Sequence, residues 1–212
     1  MNVEYEFLLV NDGSPDDTWK TIIELINENS LMNIRGLTYS KNGGKGYAVR
    51  SGLKYSLGEF TLMLDADGAT DVNEIKKILN IIKNHENSIV IGSRNIISEK
   101  ADRPFYRRLP SLVNNFIVQN IIGINGIKDT QCGFKIFPKN VTKMLSKNLH
   151  LNRWAFDVEL LYILMKNKIN IIEMPVNWKE IEGGNLFVFQ ATISFFRDYF
   201  AIFWLYLLKI WI

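Results

Sequence analysis

The chain has 212 residues, of which 47% are hydrophobic and 22% are charged, a balance that fits one globular domain with a substantial core. The formal net charge of +3 is too small to indicate a nucleic-acid partner, and a single cysteine excludes an internal disulfide. The N-terminus enters a predicted strand almost at once, and its pattern is not that of a signal peptide.

Short apolar runs alternate with longer amphipathic runs along the first half of the chain. The apolar runs predict strands at 5–10, 34–39, 60–64 and 88–92. Between them the pattern predicts helices at 15–29, 45–57 and 73–84, the first with Ser14 as its N-cap. This alternation is typical of an α/β fold with a mostly parallel sheet flanked by helices. Ligands of such sheets bind beyond the carboxyl ends of the strands, where polar clusters occur at 11–13, 65–67 and 92–94.

The second half follows a different pattern. A charged loop with two prolines is predicted at 99–110, then an apolar helix at 111–124, a helix at 155–168 and a strand at 170–176. The tail at 199–212 is apolar except for Lys209. As a helix it would reach only about 21 Å, against ~30 Å of hydrocarbon, so it favours a place in the membrane interface or the start of a longer segment. The alternative is a core helix. The predicted organisation is a domain at 1–190 followed by a membrane-associated tail at 191–212.

Asp65 and Asp67 stand two residues apart at the end of an apolar strand. Two ionised carboxylates this close repel each other unless a cation or hydrogen bonds compensate them. A polar turn is one interpretation. The other is a site for Mg²⁺ or Mn²⁺, which prefer hard oxygen ligands and often take one or two carboxylates together with substrate phosphates.

A glycine cluster at 41–52 suggests a phosphate-binding turn. It matches neither a Walker loop nor the dinucleotide fingerprint, which disfavours a Rossmann oxidoreductase. Its glycines allow backbone amides to approach a phosphate, and Lys45 and Arg50 add positive charge. Asp12 precedes a turn and is either a local cap or an acceptor for a nucleobase or ribose.

Asp157 lies within an otherwise apolar predicted helix, where an ionised group is costly unless it is paired. Its place in the first helical turn gives partial support from the helix dipole. It either pairs with Arg153 or Lys135, or acts as a general base or an orienting group.

The segments VNDGSPDDT, NGGKGYAVRSGL, LMLDADGATD and GSR occur in the order and at the spacing of family 2 glycosyltransferases of the GT-A fold, which the chain resembles from about residue 4 to about residue 200. The later segments DTQCGFKIF, RWAFDVELLY and VNWKEIEGG are similar to the branch of that family that transfers glucose from UDP-glucose to dolichyl phosphate. Members of the family carry an earlier strand preceded by a membrane helix. The resemblance therefore implies that this chain begins at the family's second strand.

The resemblance also implies roles for individual residues. Those that it assigns to the nucleotide-sugar are Asp12, Lys45, Asp65 and Arg94. It makes Asp67, with Asp65, a ligand of Mg²⁺ or Mn²⁺, and puts Asp157 at the position of the catalytic carboxylate. Lys135 and Arg153 are its candidates for the acceptor phosphate.

The implied reaction is inverting transfer of glucose to dolichyl phosphate for protein N-glycosylation. It implies a membrane surface as partner and a location at the endoplasmic reticulum membrane, with the catalytic face cytosolic. Two alternatives remain. One is a polyprenyl-phosphate transferase for another sugar, such as mannose, and the other is an inactive, truncated binding paralogue.

Overall fold

The computed structural model describes residues 4–30, 32–85, 88–94, 117–120, 122–179, 197–202 and 204. The chain forms two compact units. Unit 1 comprises Met1–Thr61 with Pro138–Phe156, and unit 2 comprises Leu62–Phe137 with Asp157–Ile212. The predicted loop at 99–110, most of the predicted helix at 111–124 and the end of the tail lie outside the described residues.

The described elements follow in chain order. They are β1 (Phe7–Asn11), α1 (Thr18–Glu28), β2 (Ile34–Thr38), α2 (Lys45–Tyr55), β3 (Phe60–Leu64), α3 (Glu74–Lys83), β4 (Ser88–Ser93), β5 (Phe134–Pro138), α4 (Lys139–Asn148), α5 (Phe156–Lys166) and β6 (Asn170–Pro175).

Unit 1 contains a two-stranded parallel sheet in which β1 pairs with β2. Helix α1 contacts both strands, and α2 contacts β1 and α4. The apolar side chains on the facing sides of α2 and α4 are buried, among them Leu53, Val141 and Leu145. The core of this unit therefore lies mainly between α2 and α4, and no residue of α1 is buried.

Unit 2 holds a four-stranded sheet in the order β3-β5-β4-β6. Strand β4 is parallel to β6 and antiparallel to β5. Every residue of β4 and β5 is buried, because these strands form the middle of the sheet. The apolar face of α3, with Ile78 and Ile82, and almost all of the first half of α5 complete the core.

The predicted α/β class with mostly parallel pairing is confirmed. The strands predicted at 60–64, 88–92 and 170–176 are present within one residue at either end.

The predicted start of the first helix is wrong. Asp16 accepts a hydrogen bond from the backbone N–H of Thr18 at 3.1 Å, and this turn delays the helix to Thr18. Ser14 instead donates its backbone N–H to the side chain of Asn11 at 3.2 Å.

The described C-terminal residues 197–202 are helical and amphipathic. Asp198, Tyr199 and Ile202 are buried, whereas Phe200 and Trp204 are exposed and their rings lie 5.9 Å apart. No helix among the described residues is both long enough and apolar enough to cross a bilayer.

Candidate functional site

Asp12 lies after β1 and binds the glycine turn that precedes α2. One carboxylate oxygen accepts the backbone N–H of Gly43 at 2.8 Å. The other accepts the N–H of Gly44 at 2.7 Å and the side-chain amide of Asn42 at 2.9 Å. The carboxylate therefore holds two successive backbone donors of the glycine turn, an arrangement that fixes the turn at the start of α2.

Gly44 is required at its position for two reasons. Its φ of 96° lies in the left-handed region that L side chains rarely adopt, and a Cβ there would come within 2.4 Å of the backbone oxygen of Asn152. The turn thus packs directly on the 149–154 segment. Arg50 joins the same segment, since it donates to the carbonyl of Leu149 at 2.9 Å and to the side chain of Asn152 at 3.1 Å.

A cavity of about 370 Å³ opens beside this turn. Its lining residues are Asp12, Asn42, Gly44, Lys45, Ala48, Arg153 and Trp154. The ammonium of Lys45 lies 5.5 Å from the centre of the Trp154 ring. This wall combines basic side chains, an exposed indole and a helix start, which suits a ligand that has both an anionic group and a flat ring.

Two acidic residues of unit 2, Asp65 and Asp67, directly follow β3. Asp65 is half-buried, and its backbone N–H donates to the carbonyl of Gly133 at 3.1 Å. Asp67 is exposed, and one of its oxygens accepts the N–H of Ala69 at 2.9 Å. Asp67 is therefore oriented by its own turn, whereas Asp65 is oriented against the segment that leads into β5.

These two carboxylates fit the chemistry of a divalent cation only as a partial set of ligands. No group of three or more His, Cys, Asp or Glu side chains that could hold a metal occurs among the described residues. Mg²⁺ is commonly bound by one or two carboxylates plus substrate phosphates and water. Asp65 and Asp67 could supply the carboxylates of such a site.

Arg94, directly after β4, forms a bidentate ion pair with Asp129. Its Nε and Nη2 donate to the two carboxylate oxygens at 2.7 and 2.8 Å, and its guanidinium lies 5.5 Å from the centre of the Trp178 ring. Burial alone would raise the pKa of Asp129, but the hydrogen bonds and charge of Arg94 outweigh it and lower that pKa. Burial likewise opposes the charge on Arg94, and Asp129 outweighs it and raises the pKa of the guanidinium.

Lys135 and Asp157 form a buried ion pair. The Lys135 ammonium donates to an Asp157 carboxylate oxygen at 2.6 Å and to the carbonyl of Cys132 at 2.6 Å. The Lys135 side chain is 0% exposed and that of Asp157 is 5% exposed. The pairing of Asp157 with Lys135, one of the alternatives from sequence, is confirmed, and the ammonium of Lys135 does not face solvent.

The predicted site residues thus fall in two groups. Asp12, Lys45 and Arg153 line the cavity of unit 1. Asp65, Asp67, Arg94, Lys135 and Asp157 belong to unit 2. Sequence reasoning missed three residues that shape these groups: Asp129, Gly133 and Trp154. Asp129 and Gly133 lie in the segment DTQCGFKIF, and Trp154 lies in the segment RWAFDVELLY. Both segments carry the family resemblance, but neither indicates the contacts that these residues make.

The chain belongs to glycosyl transferase family 2, whose profile matches residues 2–145. Among curated relatives, the chain is 40% identical to the dolichyl-phosphate beta-glucosyltransferase of Dictyostelium discoideum, with 100% of this chain and 66% of that protein covered. It is 41% identical to the Homo sapiens dolichyl-phosphate beta-glucosyltransferase, with 98% of this chain and 66% of that protein covered. The chain therefore spans slightly less than two thirds of these relatives.

Solved structures share the GT-A-like α/β fold. A crystal structure of glucosyl-3-phosphoglycerate synthase from Mycobacterium tuberculosis with phosphoglyceric acid matches 93% of this chain and 68% of its own, with a TM-score of 0.67 at 13% identity. The same enzyme with Mn²⁺, UDP-glucose and phosphoglyceric acid matches 92% of this chain and 66% of its own, with a TM-score of 0.59 at 12% identity. At 12–13% identity, the likeness to these solved structures establishes the fold alone.

Proposed function

We propose that this chain transfers glucose from UDP-glucose to dolichyl phosphate, with inversion at the anomeric carbon. A phosphate oxygen of the acceptor forms the new bond to that carbon while the bond to UDP breaks, giving dolichyl β-D-glucosyl phosphate and UDP. The observation that carries the proposal is the 40% identity, along the whole chain, to a protein named dolichyl-phosphate beta-glucosyltransferase. The glucosyl-3-phosphoglycerate synthase of the same fold, solved with UDP-glucose and Mn²⁺, supports the donor.

The cavity of unit 1 supports binding of the nucleotide-sugar. Lys45 and Arg153 supply positive charge for phosphate, and the exposed indole of Trp154 offers a face for stacking. Asp12 acts in this proposal through the glycine turn, since its carboxylate already accepts hydrogen bonds from Gly43 and Gly44. Its role is to keep the turn in the conformation that admits the donor.

Asp65 and Asp67 would hold Mg²⁺ or Mn²⁺. When bound, such a cation offsets the negative charge that develops on the departing diphosphate. Asp67 is the more exposed of the two and is oriented by its hydrogen bond from Ala69, which suits a direct ligand. Asp65 is half-buried and fits a role nearer the sugar.

The acceptor is a phosphate, and its second pKa of about 6 leaves it largely ionised at neutral pH. The reaction therefore has little need of a strong general base. Asp157 fits the orienting role better than the role of a base, because it is buried and shares a short hydrogen bond with Lys135. Lys135 in turn acts on the acceptor through the position of Asp157 and the chain around Cys132 rather than by direct contact.

Dolichyl phosphate is a lipid, so the proposal includes contact with a membrane surface, at the cytosolic face of the endoplasmic reticulum. The described C-terminal helical residues support it. Phe200 and Trp204 are exposed next to each other while Tyr199 and Ile202 are buried on the other side. Exposed aromatic residues of this kind favour the headgroup region of a bilayer. Arg103, Arg107 and Arg108, which would add positive charge, lie outside the described residues.

The test is a transfer assay on the full chain with dolichyl phosphate in detergent micelles, comparing radiolabelled UDP-glucose with GDP-mannose. We expect labelled lipid from UDP-glucose alone, and loss of product on addition of EDTA or in Asp67→Ala. Asp16→Ala, a substitution of an exposed aspartate in the turn before α1, is the matched control and should retain activity. Product from GDP-mannose in place of UDP-glucose would reassign the sugar, and no product from either would support the binding paralogue.

A further inference from the structure

Gly133 lies directly against the carboxylate of Asp65. An ideal Cβ built on Gly133 would come within 1.9 Å of one carboxylate oxygen of Asp65, 2.2 Å of its carbon and 2.6 Å of the other oxygen. We propose that Gly133 is a positioning residue for Asp65, because its bare Cα creates the space in which that carboxylate lies. The catalytic consequence rests on the proposed function, whereas the packing relationship does not.

The requirement for glycine at this position is one of space rather than of backbone conformation. The glycines with positive φ among the described residues are Gly13, Gly44, Gly68, Gly123 and Gly126. Gly133 is not one of them, so an alanine could adopt its backbone conformation without strain. What an alanine could not do is keep its methyl group apart from the Asp65 side chain, since separations of 1.9 to 2.6 Å are far below van der Waals contact.

The backbone gives little room for relief. The carbonyl of Gly133 accepts the N–H of Asp65 at 3.1 Å, so the two residues are linked by their main chains as well. Gly133 is followed at once by β5, which is buried at every position in the middle of the sheet. A methyl group at 133 would therefore displace the Asp65 carboxylate itself, because the carboxylate is the more mobile of the two.

This displacement would change the acidic pair on one side only. Asp67 is held by its hydrogen bond from Ala69, whereas the three atoms nearest to a Cβ at Gly133 all belong to Asp65. The distance between the two carboxylates would change, and with it the affinity for a cation that both must reach. A substitution at a residue without any ligand chemistry would thus alter metal binding through Asp65.

The test is a double-mutant cycle on the full chain, with Gly133→Ala, Asp65→Ala and the two combined. Mn²⁺ affinity is measured in the presence of UDP by titration calorimetry. We expect Gly133→Ala to weaken Mn²⁺ binding about tenfold when Asp65 is present and to have no further effect in the Asp65→Ala background. Gly52→Ala is the matched control, because a Cβ there meets only Val10, at an ordinary 3.5 Å.

Urea unfolding of the same four proteins gives a readout that needs no ligand. Gly133→Ala should lower the midpoint urea concentration, and this loss should shrink once Asp65 is truncated. An equal loss in both backgrounds, or unchanged Mn²⁺ affinity in Gly133→Ala, would overturn the inference. If the unsubstituted chain binds neither Mn²⁺ nor UDP, the proposed function fails, and the unfolding cycle alone decides whether Gly133 makes room for Asp65.

Discussion

The ammonium of Lys135 lies 2.6 Å from a carboxylate oxygen of Asp157, and the side chains of both residues are buried. The pair joins β5 to the first turn of α5 within unit 2. Taking two charges out of water is costly, so each depends on the other for compensation. This mutual dependence leads to two predictions, one for stability and one for catalysis.

Removal of one partner of the Lys135–Asp157 pair should lower the free energy of unfolding more than removal of both partners. We expect Lys135→Met to lower the free energy of unfolding by about 3–5 kcal/mol, because it leaves the Asp157 carboxylate buried without its cation. Lys135→Met combined with Asp157→Leu should recover most of that loss. Urea denaturation followed by circular dichroism measures the unsubstituted chain, Lys135→Met, Asp157→Leu and the double variant. If the double variant is as unstable as the sum of the single ones, the two charges do not compensate each other.

Asp157→Asn should lower turnover by more than about tenfold with little change in the affinity for UDP-glucose. The amide keeps the size of the side chain but lacks the negative charge that holds Lys135. We therefore expect the acceptor to be oriented less well while donor binding is retained. Steady-state kinetics in both substrates, with calorimetry for the donor, separates the two effects. Collapse of donor binding with normal turnover of the bound donor would contradict the orienting role.

The Arg94–Asp129 pair should make stability depend on pH at the acid end. The pKa of Asp129 lies below its ordinary value of 3.8, so the folded state binds the proton less readily than the unfolded state. The contribution of the Arg94–Asp129 pair to the free energy of unfolding is therefore complete above about pH 5 and is lost as the pH falls below about 4. We expect the stability advantage of the unsubstituted chain over Asp129→Asn to shrink in that range. An advantage that stays constant down to pH 3 would refute the assignment.

Asp12→Ala should weaken UDP binding about tenfold, since the backbone N–H groups of Gly43 and Gly44 lose their acceptor and the turn loosens. Asp12→Asn should have a smaller effect, because its amide oxygen still accepts one of these donors. Titration calorimetry with UDP measures both, with Asp16→Ala as the control in the same unit. UDP affinity that is equal in all of these proteins would mean that the turn takes no part in binding.

Serine at positions 200 and 204 in place of Phe200 and Trp204 should reduce binding to anionic phospholipid vesicles at least about fivefold, because the exposed aromatic face is lost. Cosedimentation with vesicles measures the bound fraction. Tyr5→Ser serves as the control, because Tyr5 is also an exposed aromatic residue but belongs to unit 1, whereas Phe200 and Trp204 belong to unit 2. A bound fraction that is unchanged by the double substitution would place membrane contact elsewhere.

The sequence predicted the strands of the parallel pairs well, because continuous apolar runs bounded by glycine or polar residues signal buried strands. It missed β5 and α4. Strand β5 contains Lys135, whose charge interrupts the apolar pattern and is tolerated only because Asp157, 22 residues later, pairs with it. A pairing at that separation cannot be derived from local periodicity.

The sequence named candidate site residues but did not indicate most of their contacts. Asp12 was expected either as a local cap or as a ligand group. It holds a glycine turn some 31 residues away, which no local signal indicates. The close approach of Asp65 to Gly133 likewise could not be predicted from the sequence. A glycine that is required because a Cβ would clash cannot be distinguished there from a glycine that is required by a turn.

Cys132 offers an internal reporter of how unit 2 opens. It is the only cysteine in the chain and is 1% exposed, and burial raises the pKa of its thiol to about 11. An alkylating reagent near neutral pH should therefore modify the protein only as fast as the core around Lys135 and Asp157 separates. Labelling rates, followed by mass spectrometry without any introduced probe, would give the opening frequency of the region on which catalysis is proposed to depend.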